Sequence, residues 1–277
     1  MKMTRIALVL ILGIVLVSGL ACGGGNGGGG DGVNIPDHNL EAAIREAIAK
    51  PNGSINQSDL LGLRVLDAQW RGIADLSGLE YCTNLQELDL SFNQISDISS
   101  LVSLTSLTKL HLSMNQISDL SPLSGLTSLS LLRLSDNQIS DISPISGLNS
   151  LKWLYLENNQ ISDISPISGL TGLWWLWIST NQISDISPLV SLTSLSLLWL
   201  SFNQISDISP LSGLTSLMKL YLESNEISDI EPLVDNPGLA WEHGPDEVVL
   251  RDNPLSTTSI YTYIPQLRAR GVMVVYY

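Results

Sequence analysis

The sequence predicts an α/β repeat solenoid: short parallel strands stacked into one sheet, 3₁₀ or irregular turns on the opposite flank, and a cap at each end. Two observations predict it. A 22-residue block starts at Leu63, Leu85, Leu107, Leu129, Leu151, Leu173, Leu195 and Leu217 without a slip. Within each block the apolar residues first alternate and then recur at spacings of about three, which reads as a strand followed by a tight turn. Such a unit cannot bury its own flanks, because ordering each residue costs about 1–2 kcal/mol of backbone entropy, so neighbours must stack.

The block Leu129–Ser150 shows the frame: Leu129, Leu132, Leu134, Ile139, Ile142, Ile145 and Leu148 are its apolar positions. Leu132 and Leu134 lie two apart and face inward from the strand. Asn93, Asn115, Asn137, Asn159, Asn181, Asn203 and Asn225 occupy one position in successive blocks. An amide there can donate to and accept from backbone groups where the chain leaves the strand. A second ladder, Asp97, Asp119, Asp141, Asp163, Asp185, Asp207 and Asp229, precedes the turns and is expected to cap their N–H groups, with cation binding as the alternative.

This pattern, LxxLxLxxNxISDISPLxxL, resembles the leucine-rich repeat of bacterial internalins and of the SDS22-like class, from Leu63 to about Asp235. The resemblance implies a concave sheet face, protein recognition or adhesion, and a helical cap before the repeats. The expected organisation is a segment 33–62 as helical cap, eight repeats over 63–238, and an irregular last repeat with C-terminal cap over 239–277. In the first cap, Asp37 can begin a helix carrying Leu40, Ile44 and Ile48, with a short second helix near Ser58–Leu61. In the second, Ser259–Arg270 reads as a helix bent or shortened by Pro265, Gly271 as its C′ residue, and 272–277 as a final strand. The chain after Asp235 is thus expected to close the stack, with no segment for a catalytic domain or a wall-sorting signal.

The first 21 residues read as an export signal. Lys2 and Arg5 precede an apolar run, Ile6–Leu20, too short to span about 30 Å of hydrocarbon. The run ends in Ser18-Gly19-Leu20-Ala21-Cys22, which resembles the lipobox of bacterial lipoproteins and implies lipidation at Cys22. Residues 23–32, GGGNGGGGDG, then form a coil tether with a reach of about 17–19 Å. The expectation is a lipid-anchored protein of the bacterial cell envelope.

The strand positions flanking the inward leucine are left to vary. The third strand position reads Asp67, Asp89, His111, Arg133, Tyr155, Trp177, Trp199 and Tyr221; the first reads Val65, Glu87, Lys109, Leu131, Trp153, Trp175, Leu197 and Lys219. Five of seven tryptophans fall in one region, with Trp174 and Phe202 at its margins. Since the aliphatic frame already fills the core, Trp153, Tyr155, Trp174, Trp175, Trp177, Trp199, Phe202 and Tyr221 are the candidate ligand-binding residues. A protein partner is expected, a glycan is the alternative, and a spacer without specific ligand is the third reading. The monomer is the expected state.

A net charge of −14 argues against nucleic acid. The only cysteines, Cys22 and Cys82, make neither a disulfide framework nor a metal site. His38, His111 and His243 are far apart in sequence, no nucleophile motif or phosphate loop occurs, and no enzyme activity, metal or cofactor is expected.

Overall fold

The structure, a computed structural model, describes residues 32–240 and 246–277. The expected signal segment 1–21, Cys22 and the tether up to residue 31 lie outside the described residues, as does 241–245 in the C-terminal insertion. Ten parallel strands form one sheet in sequence order. They are β1 (Val65–Asp67), β2 (Glu87–Asp89), β3 (Lys109–His111), β4 (Leu131–Arg133), β5 (Trp153–Tyr155), β6 (Trp175–Trp177), β7 (Leu197–Trp199), β8 (Lys219–Tyr221), β9 (Glu247–Val249) and β10 (Met273–Val275). From β1 to β8 each residue pairs with the one 22 positions on, as Leu154 with Leu176 and Trp153 with Trp175. The solenoid and its register are those the period implies.

Each strand is three residues long with the middle one buried, since only that side chain points into the stack. On the opposite flank 3₁₀ turns such as Ser143–Ile145 and Ser187–Ser191 begin with Ser-Pro. Proline suits this place because its ring sets φ and its missing N–H is not needed at a turn's start. The frame of the block at Leu129 is at most 1% exposed throughout, and the frame positions join the two caps in one continuous core from Ile35 to Val274. Cys82 belongs to that core; burial first, and Glu80 second, push its thiol up to about 12, so it stays protonated and inert.

Both polar ladders hold the backbone. Asn181 is typical: its Nδ2 donates to Leu156 O at 3.0 Å and Ile178 O at 3.1 Å, and its Oδ1 accepts from Ile161 N–H at 2.9 Å. It therefore stitches its own repeat to the one before. The outer ladder caps turns: Asp185 accepts from the Ser187 N–H at 2.8 Å and from the Ser187 hydroxyl at 3.0 Å. Those two bonds hold Asp185 below the usual carboxylate range, and Asp119 and Asp141 are held down in the same way. Among the described residues no three potential metal ligands cluster.

At the front, α1 (His38–Ala47) buries Leu40, Ala43 and Ile44, and α2 (Gln57–Leu60) lies one residue earlier than expected. Asp37 fastens this cap: one oxygen accepts from Asn39 and Leu40 N–H in α1, the other from Ala74 and Asp75 N–H in the first repeat. At the back, a short helix α3 (Glu231–Asp235) replaces the 3₁₀ turn. The α-helix at Pro265 is shortened, as expected: a π-helical turn, Ser259–Tyr263, precedes it, and α4 (Ile264–Ala269) carries Pro265 in its first turn, where a missing N–H is tolerated. Gly271 ends it at φ +89°, and the last strand is shorter than expected, stopping at Val275.

Candidate partner-binding face

The period-two geometry of the strands puts their first and third residues on the open face of the sheet. Consecutive parallel strands then bring equivalent residues side by side, so the aromatic residues of four blocks form a ridge. Trp177 meets Tyr155 edge-on with ring centroids 4.5 Å apart, and meets Trp199 edge-on at 4.1 Å. Trp199 and Tyr221 stack at 4.6 Å, 19° from parallel. Edge-to-face and stacked pairs of this kind add roughly 0.5–1.5 kcal/mol each beyond area burial, so the ridge is rigid before anything binds it. Trp153 and Trp175, paired across β5 and β6, make a second row beside it.

The candidate residues are not equivalent. Tyr155 is only 5% exposed: the guanidinium of Arg133 lies over its ring at 4.7 Å and Trp177 closes its edge. Its expected role as a contact residue is therefore corrected to support of Trp177. Trp153, Trp177, Trp199 and Tyr221 are half-buried and Trp175 is exposed. The hydroxyl of Tyr221 donates to Glu247 Oε2 at 2.8 Å; burial first, and this bond second, push it up to about 12. Trp174 and Phe202 lie toward opposite ends of the strands, and Trp174 lines a hollow together with Trp153. Trp174 precedes β6 and is 54% exposed, whereas Phe202 lies three residues beyond the end of β7.

Phe202 belongs to a feature the sequence reading missed. Trp70, Phe92, Met114, Asp136, Asn158, Thr180, Phe202, Ser224 and Asp252 all take a left-handed backbone, with φ between 52° and 61°. All but Trp70, which precedes Arg71, directly precede a ladder asparagine, where the chain turns out of the strand. Only the Asp and Asn members carry a recognisable signal for this conformation. Trp70 and Phe92 stack there at 3.7 Å.

The charged front of the face is largely self-paired. Lys109 Nζ lies 2.7 Å from Glu87 Oε1, and His111 Nδ1 lies 3.9 Å from Asp89 Oδ2. Burial lowers the His111 pKa, and Asp89 opposes this without reversing it. Farther along, burial pushes the Glu157 carboxyl above its usual range, against a hydrogen bond from Ser135.

A family model described as leucine-rich repeats in two copies matches residues 62–103, 105–149, 149–191, 173–212 and 193–235. An internalin (InlF) of Listeria monocytogenes is 33% identical over 87% of this chain and 75% of its own, with a TM-score of 0.71. Internalin C2 of the same species is 38% identical over 80% of this chain and 93% of its own, also at 0.71. A leucine-rich-repeat protein of Leptospira interrogans shares the fold at 24% identity and a TM-score of 0.69, covering 78% of this chain and 55% of its own. Among curated protein sequences there is no significant match. The chain belongs to the leucine-rich-repeat proteins and is one of the internalin-like kind.

Proposed function

We propose that this chain is a binding module, not an enzyme, and that it recognises a protein partner through the aromatic ridge on its sheet face. The observation that carries the reading is the ridge itself. Trp177, Trp199 and Tyr221 lie in contact on a face whose core is already filled by the aliphatic frame, with Trp153 and Trp175 alongside. Large, pre-ordered rings of this kind give contact area at low entropic cost, and tryptophan and tyrosine are the side chains that dominate interface energetics. Membership of an internalin-like family supports a partner that is a protein.

We further propose that the module is exported and held at the bacterial cell envelope by a lipid on Cys22, with the glycine run as tether. The support is the signal-like segment and the lipobox-like residues before Cys22. Among the described residues no helix is long and apolar enough to cross a membrane.

The test is crosslinking capture from intact cells, comparing the natural chain with one carrying Trp153→Ala, Trp175→Ala, Trp177→Ala and Trp199→Ala together. A specific protein captured only by the former supports the ridge; capture that is unchanged sinks it. Palmitate labelling that persists in Cys22→Ser would refute the lipid anchor.

A further inference from the structure

Glu157 departs from the repeat at a telling place. Ser135 holds the equivalent position one strand earlier, and Ser179 and Ser201 hold it on the next two. A carboxylate thus stands where its neighbours carry a small hydroxyl, on the same sheet face as Tyr155 two residues before it. Beside it opens a cavity of about 250 Å³ lined by Glu157, Trp177, Ser179 and Trp199.

Two atoms in this wall are buried and have no hydrogen-bond partner: Glu157 Oε2 and Trp177 Nε1. An ionised carboxylate oxygen can only accept and an indole nitrogen can only donate. The Glu157 carboxylate already accepts from Ser135, as that of Glu223, three repeats on, accepts from Ser201 Oγ at 3.4 Å; the second oxygen of Glu223 has Arg251 at 3.8 Å, and Glu157 Oε2 has no such counterpart. Buried polar atoms are nearly always paired, and leaving one unmade costs more than a made bond returns. An unpaired acceptor and an unpaired donor in one cavity wall point to a ligand that supplies both partners.

From this geometry we infer that the cavity is a sugar subsite, taking one hydroxyl-bearing ring of a glycan carried by the partner. One hydroxyl donates to Glu157 and its neighbour accepts from Trp177 Nε1, with the ring seated against the Trp177 and Trp199 side chains that line the cavity. The assignment rests on the reading that the ridge is the recognition face. A hydroxyl is both donor and acceptor, so a pair of adjacent hydroxyls meets both needs. An ammonium group would satisfy the carboxylate and leave the indole N–H unpaired. An anionic group would satisfy the indole and be repelled by Glu157. The volume falls below the roughly 300–1,000 Å³ of sites for drug-sized molecules, which suits a single ring. The last torsion of a glutamate is broad, so a turn of the carboxylate aims Oε2 at a ring seated in the cavity.

The experiment is a glycan array probed with the full-length chain and two variants. Glu157→Ser restores the residue of the neighbouring repeats, and Trp177→Phe keeps a ring while removing the N–H. Binding to at least one class of neutral glycan is expected, reduced at least tenfold by each variant at unchanged melting temperature. If Trp177→Phe loses its fold, Glu157→Ser decides alone. No glycan bound, or glycan bound equally by the folded variants, overturns the assignment. Should protein capture need the four tryptophans while no glycan binds, the sugar assignment falls and the ridge reading stands. Should glycan binding depend on Glu157 and Trp177 while protein capture ignores the four tryptophans, the sugar assignment stands and the ridge reading falls.

Discussion

Replacing Asn181 by alanine isolates what the asparagine ladder does for the stack. The side chain is 9% exposed and makes four hydrogen bonds: to Leu156, Ile178 and Ser179 carbonyls at 3.0, 3.1 and 3.2 Å, and from Ile161 N–H at 2.9 Å. Alanine strands the buried Ile161 N–H, which costs about 1–3 kcal/mol, and removes a donor from each of three carbonyls at a smaller cost apiece. The expected loss is about 2–5 kcal/mol. At roughly 2–4 °C per kcal/mol for a domain of this size, a loss near the middle of that range lowers Tm by about 7–14 °C. Thermal and urea unfolding followed by circular dichroism measure it, with an unchanged m-value showing that the solenoid still unfolds as one unit. Asn181→Asp should be at least as damaging, because it keeps the acceptor but turns a second oxygen toward the carbonyls. A loss under about 1 kcal/mol for Asn181→Ala, within the range of an exposed cap, would refute the stitching role.

Other positions give sharper local tests. Asp37→Ala should cost about 1–2 kcal/mol, read from the urea midpoint, because it uncaps α1 and releases the first repeat. Burial tends to raise the Asp37 pKa, but its four backbone donors together hold it below the ordinary value. Its contribution is therefore present above the unfolded value of about 3.9 and lost as pH falls through the lower folded value. Asp37→Asn should accordingly flatten the acid limb of a midpoint-versus-pH plot, and an unchanged limb would contradict the assignment. Gly238→Ala should destabilise by about 1–3 kcal/mol or more, since its Cβ would sit 2.0 Å from the Thr215 carbonyl oxygen. Gly213→Ala, where nothing lies within 4 Å, is the matched control and should leave Tm unchanged or raised. Phe202→Asn should raise stability by up to about 1 kcal/mol, because asparagine accepts the φ of 59° more readily. A drop in Tm would show that the exposed ring makes contacts worth more than the backbone strain.

The frame was readable residue by residue because every block repeats it at one period. Leu132, Asn181 and Asp185 each occupy the place and make the kind of bond that the repeat implies. The two outward rows were readable for the same reason, since a strand's alternation leaves no choice of face. Lateral packing across strands was not readable. Tyr155 has the same sequence context as Trp177, yet Arg133 on one side and Trp177 on the other cover it. Trp174 and Phe202 lie toward opposite ends of the strands, where Trp174 shares a hollow with Trp153 and Phe202 takes a left-handed backbone, a difference their nearness in sequence does not encode. The left-handed ladder escaped notice because Trp70, Phe92 and Met114 are residues that rarely mark such a backbone. Pro265 signalled a bent or shortened helix, and α4 is short, but the π-helical turn before it carries no local signal.

Oxidative footprinting of tryptophans in the complex crosslinked on intact cells tests the central claim most directly. The ridge account predicts that Trp153, Trp175, Trp177 and Trp199 gain protection relative to the unbound chain. Trp70, 64% exposed at the far end of the solenoid, should stay as reactive as before and serves as the internal reference. Protection of Trp70 with the four ridge tryptophans unchanged would contradict the account and move the recognition surface to the left-handed edge.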